Sequence, residues 1–291
     1  MALRQSDGAQ LMMTDKRSDD TVSPYGHYRP APGQRALLSI SRHLPTWEPT
    51  YRLALSLQKP LLASMTGPLD VETFGAKIRF HPWQNVCERR ALLTPERFDP
   101  HERAALRAAL PEGGTFVDLG ANVGLYTVEM AGLVGPGGRV VSVEPQKRIF
   151  NRLAFNCRSN GFDHVRLHNI GVSDEAGELN LYENAENCGE ATMAIPDKMA
   201  GACSVVPVRP LLDILRDDGV TTVDALKIDI EGHEDRAMAP FMKGAEETLL
   251  PKVIVAENSI HHWSIDWLAL AADRDYRIVR QDRRNLILQR G

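Results

Sequence analysis

Residues 117–124 read VDLGANVG, with Asp118, Gly120, Asn122 and Gly124 at alternate positions. The glycines permit close backbone approach, and Asn tolerates left-handed geometry better than most residues. The spacing is not the GxGxxG of a dinucleotide site. An acid on the lip of such a turn suits a ligand carrying an ammonium group and repels a pyrophosphate. Twenty residues after Gly124 comes Glu144, a carboxylate able to accept both hydroxyls of a ribose. Together these residues describe a nucleoside whose far end is an amino acid, and S-adenosylmethionine fits that description. Further along, KIDIEGHE (residues 227–234) places Lys227, Asp229 and Glu231 on one face by the period of two. A central strand is usually apolar on both faces, so Lys227 reads either as a catalytic group or as half of a buried ion pair.

The elements that must hold these residues follow from patterning. Residues 1–35 are polar and broken by Pro24, Pro30 and Pro32, which predicts a tail without core-forming structure. Residues 36–110 read as a helical and hairpin extension packed on the core. They include an amphipathic stretch to Met65, a hairpin over 69–80, and a helix opened by an Asp99 cap with Pro100 behind it. From 111 to 291 strands alternate with helices. Strands are predicted at 115–119, 139–143, 164–172, 204–208, 223–230 and 252–257, with helices at 125–134, 147–160, 210–217, 235–242 and near 264–272. A hairpin, 276–280 with 285–289, closes the chain. Such βα alternation predicts an α/β domain with a doubly wound, mostly parallel sheet, one terminal strand being reversed.

Composition narrows the function. The 291 residues are 43% hydrophobic and 25% charged, as in globular proteins, with a formal charge of −4. No global basic excess marks a nucleic-acid binder, and no apolar run is long enough to span a membrane. Cys87, Cys157, Cys188 and Cys203 have neither zinc nor disulfide spacing, and the first residues lack an apolar signal core. A cytoplasmic protein is expected.

Four segments, VDLGANVGLYTVEMA, VVSVEPQKRIFNRLAFN, VDALKIDIEGHE and VIVAEN, resemble in order those of the FkbM family of S-adenosylmethionine-dependent methyltransferases. The likeness runs from about residue 70 to 289 and leaves out the first 65 or so. It implies the class I methyltransferase fold, Rossmann-like, with a seven-stranded sheet. It also implies O-methylation of a hydroxyl on a natural product, sugar or similar small molecule. By motif, Asp118, Gly120, Asn122, Gly124 and Glu144 would bind the cofactor, and Ser173 and Asp174 would lie near the adenine.

An alcohol acceptor must lose its proton. His233 is the natural base by pKa, with Asp229 and Glu231 as competitors and Lys227 beside them. Asp229, Glu257 and Asn258 could instead hold Mg²⁺, in an arrangement similar to that of catechol-type O-methyltransferases. The resemblance supplies no metal motif, so the metal-free route is preferred. His261, His262 and Trp263 could line the acceptor pocket. A nucleic-acid or protein methyltransferase and a non-catalytic S-adenosylmethionine-binding module are the alternatives. The first would normally carry Asn/Asp-Pro-Pro-aromatic where this chain has Asp229-Ile230-Glu231-Gly232.

Overall fold

The computed structural model describes residues 19–44, 48–183, 191–193 and 203–291. An amino-terminal layer holds α1 (Pro32–His43), α2 (Glu48–Ser56), α3 (Gln58–Ser64), the hairpin β1 (Leu69–Thr73) and β2 (Ala76–Phe80), α4 (Val86–Leu93) and α5 (Pro100–Ala109). Next come β3 (Thr115–Leu119), α6 (Leu125–Val134), β4 (Arg139–Val143), α7 (Lys147–Asn160) and β5 (Val165–His168). β6 (Gly171–Val172), β7 (Gly177–Glu183), β8 (Ala191–Thr192) and β9 (Cys203–Arg209) form a second sheet, followed by α8 (Leu211–Asp217). The remainder is β10 (Ala225–Ile228), α9 (Glu234–Gly244), β11 (Val253–Glu257), α10 (Trp267–Ala272), β12 (Tyr276–Gln281) and β13 (Asn285–Arg290).

The main sheet has seven strands in the order β12-β13-β11-β10-β3-β4-β5, with β13 antiparallel to both its neighbours. This is the class I methyltransferase arrangement. Chain direction reverses its winding between β3 and β10, where a crevice opens at the carboxyl ends of the strands.

Alternation along the strands supplies two cores. Phe116, Val140 and Ala225 face α6, α7 and the amino-terminal layer. Val117, Val141, Leu226 and Ile254 face α8, α9 and α10. Each fully buried Leu, Val or Phe contributes about 1.5–3 kcal/mol. Helix α6, LYTVEMAGLV, is buried nearly all round because it lies between the sheet and the amino-terminal layer. Gly135 and Gly161, both with positive φ, end α6 and α7 where the sequence predicts their stops.

Three readings change. Residues 19–35 were expected within a structureless tail, yet they have fixed partners; residues 1–18 lie outside the described residues. The buried Arg79 guanidinium binds Asp70 at 2.7 and 2.9 Å and donates to the carbonyls of Asp20, Ser23 and Pro24. It stacks on the Phe155 ring at 4.1 Å, while Asp70 accepts the amides of Gly26 and Tyr28. Asp19 pairs with Arg148 and Arg152, which hold its carboxyl below the usual range against the cost of its burial. This order comes from polar groups wrapping buried cations, so a count of apolar residues misses it. Asp99 does not cap α5: it is left-handed at φ 42°, and its carboxylate turns to Arg90 and the Tyr126 hydroxyl. The strand expected over 164–172 splits, β5 joining the main sheet and β6 the second. Between them Asn169 donates to the carbonyls of Glu144 and Pro145.

Candidate active site

A cleft of about 250 Å³ opens at the crevice between β3 and β10. The first turn and the end of β4 contribute Gly120, Asn122, Glu144 and Gln146, and the ends of β10 and β11 contribute Asp229, Glu231 and Glu257. Segments outside the sheet bring Cys87, Arg90, Asp99 and Arg284, and the start of β13 brings Asn285.

Gly120, Asn122 and Gly124 all have positive φ, as the turn chemistry predicts. What approaches the glycines is protein. A Cβ on Gly120 would lie 1.8 Å from the carbonyl oxygen of Asp229, and one on Gly124 would lie 2.5 Å from Leu153 Cδ1. The turn therefore locks the end of β3 against the exit of β10. Asn122 Oδ1 accepts from the Val123 amide and the Asn85 side chain.

Glu144 is fixed at the end of β4 by two backbone hydrogen bonds. Its two oxygens accept the backbone N–H groups of Asn122 and Gln146, each at 2.9 Å, leaving further lone pairs. Burial pushes its pKa up to about 7. Beside it Gln146 is buried, and its Nε2 has no hydrogen-bond partner among the described residues. A buried carboxylate and an unused amide donor in one cleft fit a nucleoside with hydroxyls and ring acceptors. Sequence reading misses Gln146, although its place two residues after Glu144 is a signal.

Asp118 lies beneath the turn instead of on its lip. It is fully buried, accepts from Thr127 Oγ1 at 2.6 Å, and has its pKa raised by burial against the pull of Lys227. Lys227 Nζ donates to the Gly120 carbonyl at 2.9 Å and stands 3.4 Å from Asp229 and 3.8 Å from Asp118. Burial lowers its pKa, but those two carboxylates outweigh it and push the value up, so the ammonium stays charged. Lys227 thus clamps the turn and fixes Asp229.

The carboxylates of Asp229, Glu231 and Glu257 offer oxygens within 4.8 Å of one another. Burial, then Asp229 and Glu234, push the Glu257 pKa up to about 8, and its Oε2 is buried without a hydrogen-bond partner among the described residues. Glu234 builds this loop. Its Oε1 accepts the amides of Ile230 and Gly232, and its Oε2 accepts Trp263 Nε1 at 2.8 Å. Those bonds hold Glu231 and Gly232 left-handed, at φ 54° and 92°. Hard oxygens of this kind suit a divalent cation, but the Lys227 ammonium already neutralises Asp229. Asn258, expected beside them, donates instead to the Asp282 carbonyl.

Three expected residues gather outside the cleft lining. His233 Nε2 lies 3.0 Å from Ser173 Oγ, which donates to Asp174. Burial lowers the His233 pKa, and Asp174 also binds Arg236. Trp263 supports the loop through Glu234, whereas His261 and His262 sit in an exposed 3-10 turn.

The family described as Methyltransferase FkbM domain matches residues 118–278. Methyltransferase sdnD of Sordaria araneosa is 28% identical over 169 residues, covering 48% of this chain and 63% of that protein. Methyltransferase 1 of Beauveria bassiana (strain ARSEF 2860) is 24% identical over 145 residues, covering 44% and 58%. The alignments thus span less than two thirds of either curated relative. A solved methyltransferase from Geobacter sulfurreducens is 15% identical with a TM-score of 0.40, covering 85% of this chain and 91% of that one. The family match takes in more than half the chain and includes the turn at Asp118, Glu144, the loop 229–234 and Glu257. This chain belongs to the FkbM methyltransferase family.

Proposed function

We propose that the protein is an S-adenosylmethionine-dependent O-methyltransferase of a small hydroxylated molecule, acting in the cytoplasm without a nucleic-acid partner. The observation that carries this reading is one cleft lined by Glu144, by Gln146 and by Glu257, the last two each with a polar atom that lacks a partner among the described residues. When bound, S-adenosylmethionine would supply a methyl group made electrophilic by its sulfonium. Glu144 would accept the ribose hydroxyls and Gln146 would donate to an acceptor on the nucleoside. Lys227 keeps the Gly120 turn and Asp229 in register, since alignment is most of what a displacement of this kind asks of a protein. The acceptor's proton goes to the carboxylate group of Asp229, Glu231 and Glu257. Glu257 is the best placed of the three, because its pKa of about 8 lies near working pH. His233 is held by Ser173 and serves the turn into α9. Asp118 acts through Lys227 from below, and Ser173 and Asp174 brace that same turn.

Calorimetry with S-adenosylmethionine and S-adenosylhomocysteine tests the cofactor half, and radiolabelled methyl transfer to a panel of hydroxylated acceptors tests the reaction. Both ligands should bind, NAD should not, and transfer should persist in EDTA. Absence of binding would overturn the whole reading. Activity that vanishes with EDTA and returns with Mg²⁺ would overturn the metal-free route.

A further inference from the structure

Two arginines from opposite ends of the chain line the cleft and share one carboxylate. Arg90 on α4 and Arg284 on the β12–β13 turn reach Asp99 Oδ1 at 3.0 and 3.8 Å. Asp99 is held left-handed, a conformation an L-residue with a side chain adopts at a cost, and the Tyr126 hydroxyl donates to its other oxygen at 3.2 Å. The Arg90 guanidinium also lies over the Phe98 ring, 5.4 Å from its centroid. The turn carrying Arg284 is pinned: its carbonyl accepts the Asn258 amide, and neighbouring Asn285 donates to Glu102. The Arg284 side chain itself is 61% exposed.

We propose that Arg90 and Arg284 form a subsite for an anionic group, a carboxylate or a phosphate, on the methyl acceptor. This rests on the methyltransferase reading above and narrows its substrate class to hydroxylated acids or phosphate esters. Two guanidiniums on one carboxylate leave a net positive charge. Among the described residues they also leave most of their ten N–H donors without a partner, in the planar forks that match such anions. The same cleft carries the acids Asp229, Glu231 and Glu257, and Glu257 lies in register with Asn285 beside Arg284. A hydroxylated anion entering this field aligns with its charged group at Arg284 and its hydroxyl toward the acids. Adjacent groups of opposite charge in one cleft would set the pose before any close contact forms.

The test is calorimetry at low salt on full-length protein saturated with S-adenosylhomocysteine, using benzoate, inorganic phosphate and neutral benzamide as probes. At least one anion should bind well ahead of benzamide, and the preference between them distinguishes carboxylate from phosphate. Arg284→Ala should weaken anion binding about tenfold, whereas Arg283→Ala, on the exposed neighbour outside the cleft, should not. Asp99→Asn should tighten it severalfold, because it frees both guanidiniums and Asn suits the left-handed backbone; a merely structural role would give no gain. The inference is overturned if neither anion exceeds benzamide, if Arg284→Ala changes nothing, or if Asp99→Asn binds anions no better. Failure to bind S-adenosylhomocysteine would instead overturn the methyltransferase reading itself.

Discussion

Glu144 carries a proton near neutrality that it must lose before it can accept two hydroxyl donors. Its folded pKa, raised by burial to about 7 from 4.5, fixes the sign. The protonated form is favoured below that value, and charging the group costs stability as pH rises through it. Ligand binding runs the other way, because the ionised form is the better acceptor. Affinity for S-adenosylhomocysteine should therefore climb by about tenfold in all from pH 6 to a plateau above 8. Glu144→Gln should abolish that slope, and Glu144→Ala should cost about 1–3 kcal/mol by calorimetry. Glu144 and Lys227 were legible in the sequence because each lies on or at the end of a strand, where the period of two dictates direction. His233 was not, since its direction depends on a left-handed pair, Glu231 and Gly232, that Glu234 holds in place. No periodicity reaches past a strand end into such a loop.

At the scale of elements, one crossing governs the site: the turn after β3 lies on the exit of β10. Gly120→Ala would press a methyl into the Asp229 carbonyl while keeping an unfavourable φ of +72°. It should cost about 3 kcal/mol or more in urea denaturation and disturb cofactor binding through Asp229. Gly135→Ala has a similar φ of +67° but open space around it, and should cost only about 1–2 kcal/mol with binding intact. The βα alternation, the hairpin over β1 and β2 and the terminal hairpin could all be read from pattern and turn residues. The split between β5 and β6 could not, because it depends on which sheet captures each half once Asn169 has tied the intervening chain to the end of β4. Asp99 misled for a related reason: Asp before Pro is a capping signal, but here Arg90 and Tyr126 outbid the helix amides for its carboxylate.

For the molecule as a whole, the reading placed a boundary near residue 110, between extension and core. Leu38, Leu61, Met65, Ile78, Phe80, Leu92 and Leu106 share one buried cluster with Phe116, Val123 and Val140. The amino-terminal layer is thus the cover of one sheet face. A fragment of residues 111–291 should expose that face and show no cooperative melt, whereas the full chain should unfold in one calorimetric transition. Two independent transitions would show that extension and core fold separately. The donor half of the cleft is built from buried turns that tolerate almost no replacement, while the final β-turn touches it with little more than an exposed arginine on a pinned backbone. The Arg284 side chain can therefore be exchanged without endangering the sheet, so a preference for one acceptor over another could be changed there while the buried turns stay as they are.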